Sequence, residues 1–111
     1  MLLAVDIGNT NTVIGIAGDD HAWARQWRIT TARNASADDW ASLVLPLAGR
    51  DAVDLSPISG IAIASVVPAA TVALRQCLER LTGLPALIIS SDLELGIERR
   101  TGQDSEDLAR P

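Results

Sequence analysis

Apolar positions along the chain recur first with a period near two, then alternate between helical spacing and uninterrupted runs, and that order predicts its elements. Leu2-Leu3-Ala4-Val5 and Thr12-Val13-Ile14-Gly15-Ile16-Ala17 read as two strands joined by turn-forming residues, a β-hairpin. Gly18-Asp19-Asp20 is a second turn, and the partly alternating stretch from Ala22 to Thr30 reads as a third antiparallel strand. Trp23 and Trp27 lie four apart in it, which places both on one strand face, where they are expected to cover the sheet. Residues 30–34 form a loop. Ser36-Ala37-Asp38-Asp39 then has the form of a capping box, with Asp39 standing where Glu is usual. Trp40, Leu43, Val44 and Leu47 follow at i, i+3, i+4 and i+7, predicting the buried stripe of a helix. Pro46 supplies no N–H and is expected to kink or shorten that helix.

A polar connection over residues 49–59 leads to Gly60-Ile61-Ala62-Ile63-Ala64-Ser65-Val66-Val67, a continuous apolar run that predicts a central strand covered on both faces. Pro68 suits the first turn of a second helix, with Leu74, Leu78 and Leu81 buried, Cys77 beside them, and Gly83 just past its end. Residues 85–91 read as another buried strand. Three antiparallel strands, then helix, strand, helix and strand, make an α/β lobe of ribonuclease H-like design. Its mixed five-stranded sheet carries helices packed on it. From Asp92 the composition shifts to charge, so residues 1–91 are expected to form the lobe and 92–111 a charged connector or tail.

Composition narrows the function classes. A chain of 111 residues makes one domain, enough for a core but small for a complete two-substrate enzyme. A net charge of −5 argues against nucleic acid, whose binding rests on a basic face. Nine arginines and no lysine exclude a Walker-type Gly-Lys loop and Schiff-base chemistry. One cysteine, Cys77, permits neither an intramolecular disulfide nor a multi-cysteine zinc site, and its apolar setting predicts a buried structural thiol. His21, the sole histidine, is expected in a solvated turn. There is no basic start with a long apolar stretch and no run of membrane-spanning length, so a cytoplasmic protein is expected.

The most chemically specific segment is Asp6-Ile7-Gly8-Asn9-Thr10-Asn11-Thr12, a carboxylate at a strand end followed by a Gly/Asn/Thr turn. Glycine permits close backbone approach to a ligand and Asn tolerates positive φ, so successive N–H groups can converge on anionic oxygens, with Thr10 and Thr12 adding hydroxyl donors. Asp6 would repel a phosphate, and its natural place is toward a Mg²⁺ that bridges to one. An ordinary hairpin turn, with Asp accepting backbone N–H bonds, is the competing reading at this point.

The segment Ala4-Val5-Asp6-Ile7-Gly8-Asn9-Thr10-Asn11-Thr12, with Trp27-Arg28-Ile29-Thr30-Thr31 and Ile63-Ala64-Ser65-Val66-Val67-Pro68 in order after it, resembles type III pantothenate kinases of the acetate and sugar kinase/actin superfamily. The resemblance spans roughly residues 1 to 98. It implies ATP-dependent phosphorylation of pantothenate, the first committed step toward coenzyme A, with Mg²⁺ or another divalent metal, a monovalent cation (K⁺ or NH₄⁺) and a homodimer. By motif it implies that Asp6, Ile7, Gly8, Asn9, Thr10, Asn11, Thr12 and Val13 surround the ATP phosphates, with Asp6 facing the metal. After Gly96-Ile97-Glu98 the family continues to a Gly-x-Asp-Arg segment carrying the general base and an Arg for the pantothenate carboxylate. Here the chain runs to Leu108-Ala109-Arg110-Pro111, and neither Asp104 nor Asp107 is followed by Arg. No catalytic base is therefore assigned, and the chain reads as an amino-terminal lobe without its partner lobe. An inactive offshoot acting as an interaction module, or another kinase of the superfamily, are the alternatives.

Overall fold

A computed structural model describes residues 1–18 and 23–89. Its elements are β1 (Leu2–Ile7), β2 (Asn11–Ala17), β3 (Trp23–Thr30), α1 (Ala37–Arg50), β4 (Gly60–Ser65), α2 (Pro68–Thr82) and β5 (Ala86–Ile89). They form one sheet in the order β3-β2-β1-β4-β5. β1 pairs antiparallel with β2 and β2 with β3, while β1–β4 and β4–β5 are parallel. This is the mixed α/β sheet that the element order predicts.

Register explains where the core lies. Trp27, Ile14, Val5, Ile63 and Ile88 stand opposite one another across all five strands, and Ile16, Leu3 and Ile61 form the neighbouring row. Side chains alternate faces along a strand, so these rows share one face. Trp40, Val44 and Ala48 of α1 join that core, as do Ala70, Ala73, Leu74, Cys77 and Leu78 of α2. Both helices therefore cover the same side of the sheet. Burying a Leu- or Ile-sized side chain contributes about 1.5–3 kcal/mol, so this continuous layer is what orders the lobe.

Local signals behave as their chemistry requires. Ser36 Oγ accepts from Asp39 N–H at 3.1 Å, while Ser36 N–H donates to Asp39 Oδ2 at 3.0 Å, completing the capping box. Gly83 ends α2 at φ 75°, a left-handed conformation that glycine adopts without Cβ strain, and its N–H donates to Glu79 O. Cys77 is buried, and burial raises its thiol pKa above the usual value.

Several expectations are corrected. Pro46 does not shorten α1, which runs unbroken through it because buried Trp40, Val44 and Ala48 hold the helix to the core on both sides of the proline. Leu43 is not part of the buried stripe; it is exposed, and Ala48 extends the contact instead. β4 lies inside the sheet, but only Ile61 and Ile63 on the helix face are buried, while Ala62 and Ala64 on the other face are half-buried. Among the described residues β5 is an edge strand, not a buried one, with Leu87 65% and Ile88 39% exposed. An apolar run alone does not tell which faces are covered. The backbone of Trp23 stands opposite Ala17 beside a register shift. The expectations for its side chain, for His21 and for residues 90–111 lie outside the described residues.

Candidate functional site

The site is assembled where β1 turns into β2. Asp6 is the next-to-last residue of β1, half-buried, in one transverse row with Val13 of β2, Arg28 of β3 and Ala64 of β4, on the sheet face opposite the helices. Ile7 and Thr12 close the hairpin with side chains turned into the protein, both fully buried, and Val13 is half-buried. Residues 8–10 make the tip, with Asn9, Thr10 and the following Asn11 exposed. Gly8 N–H donates to Asn11 O at 2.9 Å, which pinches the loop shut. A Cβ at Gly8 would lie 3.1 Å from that same carbonyl, a tight contact that glycine avoids. Positive φ is not the reason. Among the described residues only Ala52 and Gly83 have it, and the expected use of Asn for a left-handed turn is not realised.

With Gly8 N–H engaged, Asn9 and Thr10 carry the tip N–H groups that no hydrogen bond among the described residues occupies. The hydroxyls divide. Thr10 lies at the surface, whereas Thr12 points inward and meets Thr31 Oγ1 at 2.9 Å. Thr31 Oγ1 donates its single proton to Gly8 O at 2.7 Å, so Thr12 must be the donor in the contact between the two hydroxyls. Thr31 N–H also donates to Thr10 O at 2.9 Å, continuing the β2–β3 ladder beyond Thr30. Arg33 Nη2 donates to Asn9 Oδ1 at 2.7 Å and lies 3.4 Å from Asn9 O. Thus the loop between β3 and α1 braces the tip from behind.

Sequence reasoning placed the tip residues but gave Thr31 and Arg33 no role. The available signal was pairing: Thr31 follows the strand that pairs with the loop-bearing β2, so the ladder carries it alongside Thr10. The neighbouring strand end adds a second boundary. Val66 N–H donates to Ile7 O at 3.1 Å, and α2 begins at Pro68 immediately beyond, so β1 and β4 end side by side. The outer ends of parallel strands are where open α/β sheets characteristically receive ligands. A separate cavity of about 300 Å³, lined by Met1, Ile16, Arg25 and Asp51, opens near the start of β1, away from the tip.

No group of three or more His, Cys, Asp or Glu side chains that could hold a metal occurs among the described residues. One half-buried carboxylate beside exposed N–H groups instead fits Mg²⁺, which is commonly bound by one or two carboxylates plus substrate phosphates.

The five-strand order and the tip at the end of β1 define a ribonuclease H-like lobe of the kind that actin-like sugar kinases contain. The solved structure of a candidate N-acetylglucosamine kinase from Porphyromonas gingivalis superposes with a TM-score of 0.59 at 21% identity, over 81% of this chain and 34% of that one. The family model for type III pantothenate kinase matches residues 2–106, and the chain belongs to that family. A type III pantothenate kinase of Moorella thermoacetica is 36% identical over 90% of this chain and 39% of its own length. One from Hyphomonas neptunium is 42% identical over 80% of this chain and 34% of its own length. The chain thus spans less than half the length of these relatives. No helix among the described residues is long and apolar enough to cross a membrane.

Proposed function

We propose that this chain is the nucleotide-phosphate lobe of a kinase that transfers a phosphoryl group from ATP to pantothenate, giving 4'-phosphopantothenate at the entry to coenzyme A synthesis. The observation that carries the reading is the braced tip: exposed Asn9 and Thr10 N–H groups held beside Asp6 at the end of β1, in a chain of this family. The Asn9 and Thr10 N–H groups and the Thr10 hydroxyl bind phosphate oxygens, while Asn11 borders them. Ile7, Gly8, Thr12 and Val13 shape the loop through backbone and packing. Asp6 would hold Mg²⁺, which would supply charge neutralisation at the phosphates. Phosphoryl transfer depends chiefly on positioning and charge stabilisation, which suits a backbone cradle without lysine.

The lobe boundary falls near residue 91, with residues 92–111 leading toward a second lobe. That lobe supplies the monovalent cation site for K⁺ or NH₄⁺, and no residue of this chain is assigned as the general base. The complete enzyme is a cytoplasmic homodimer that engages neither nucleic acid nor membrane.

Asp6→Asn tests the site. In an amide-resolved NMR titration with MgATP, the wild-type chain is expected to shift its Gly8–Thr12 resonances at millimolar ligand. The variant should lose the metal-dependent part of that response while keeping its hairpin signals. Equal response from both would return Asp6 to the role of an ordinary turn residue.

A further inference from the structure

Arg33, on the loop between β3 and α1, hydrogen-bonds to the β1–β2 tip and lies outside the motifs that the family shares. Both of its contacts, to Asn9 Oδ1 and to Asn9 O, use Nη2. Nε and Nη1 form no hydrogen bond or ion pair among the described residues, and the side chain is exposed. A guanidinium has only donors, so the atom of Asn9 that meets it must be the carboxamide oxygen. The Asn9 NH₂ is consequently turned away from Arg33, which leaves it as a donor. The geometry therefore couples two effects: a positive charge at the rim of the loop, and a fixed orientation for the neighbouring amide.

The position of Arg33 is itself fixed. It stands between two anchored points, Thr31, which is tied to Gly8 O and Thr10 O, and Ser36, which caps α1. A short loop held at both ends keeps the Arg33 backbone near the tip, and the Asn9 contacts set the guanidinium against it. The guanidinium adds a positive charge beside loop donors that are themselves neutral, the Asn9 and Thr10 N–H groups and the Thr10 hydroxyl. Charge-assisted hydrogen bonds are roughly twice as strong as neutral ones.

We propose that Arg33 is a phosphate-binding residue of this site: it holds Asn9 with one nitrogen, so that the Asn9 NH₂ faces the ligand, and gives its remaining N–H donors to phosphate oxygens. This deepens the kinase reading and rests on it. Because the guanidinium is exposed, its contribution is screened by salt, and that dependence separates charge from mere bracing.

The test compares the wild-type chain with Arg33→Lys, Arg33→Gln and, as a surface control on α2, Arg75→Gln. Each is titrated with MgATP, and separately with inorganic tripolyphosphate, by amide-resolved NMR at low and high salt. Arg33→Gln is expected to weaken binding about tenfold at low salt and to flatten the salt dependence. Arg33→Lys should keep most of both, and Arg75→Gln should match the wild type. Wild-type-like affinity in Arg33→Gln would overturn the proposal while leaving the phosphate site standing. Equal weakening in the Lys and Gln variants with an unchanged salt dependence would also overturn it, reducing Arg33 to a loop brace. No response from the wild-type chain to either ligand would overturn the phosphate reading and this proposal together.

Discussion

A single carboxylate shows how much at the residue scale depends on neighbours remote in sequence. Asp51, just past α1, accepts from Arg50 Nε at 3.1 Å and from Trp27 Nε1 at 2.7 Å, with Arg25 Nε 4.0 Å away. The Arg50 hydrogen bond, followed by that from Trp27, lowers its pKa from 3.8 to about 2. A carboxylate with a depressed folded-state pKa adds stability above its unfolded value and loses it as pH falls through the folded value. Acid unfolding should therefore include a component between 3.8 and about 2 that belongs to this residue. Tryptophan fluorescence melts across that range are expected to show a shallower loss of stability in Asp51→Asn than in the wild type. Parallel curves would mean that the contact is not maintained in solution. Asp51 carried no signal in the sequence beyond turn propensity: Arg50 is its immediate neighbour, but its second partner, Trp27, lies on β3, 24 residues earlier.

For the elements, local chemistry was legible wherever donor and acceptor lie a few residues apart. The Ser36–Asp39 box and the Gly83 terminus were both readable as strings, since cap geometry is set within one turn. Pro46 was read correctly as a missing donor, but it does not shorten the helix, because the cost of one bond is local while burial of Trp40, Val44 and Ala48 acts along the whole helix. Restoring the donor should then be favourable. Pro46→Ala is expected to stabilise the chain by about 1 kcal/mol, a conservative share of the ~3 kcal/mol interior propensity difference once the greater freedom of the unfolded chain is counted. A urea unfolding midpoint that fails to rise would show that α1 already adapts to the proline without loss.

At the scale of the whole molecule, both helices cover one side of the sheet and leave the other side lined by Leu2, Ala4, Val13, Ala62, Ala64, Leu87 and Ile89, half-buried or exposed. β5 also forms a sheet edge among the described residues. An exposed apolar edge strand is a template for intermolecular pairing. Leu87→Lys is accordingly expected to raise the concentration at which the chain begins to scatter light, with little change in melting temperature because the side chain is 65% exposed. A wild-type scattering onset in the variant would place the self-association elsewhere. The small residues at Ala62 and Ala64 explain why this face was misread: an apolar run predicts burial, but the neighbour that covers a face lies on another element.

The sequence by itself determined the five strands and two helices, their order, the helix caps and the Asp6–Thr12 tip, because each depends on side-chain period or on contacts within a few residues. Only the tertiary structure decided that Thr12 faces Thr31 and that Arg33 grips Asn9. It also decided which side of the sheet is covered. Those features follow from strand register, which sets residues about 20 positions apart side by side and cannot be read from spacing along one strand.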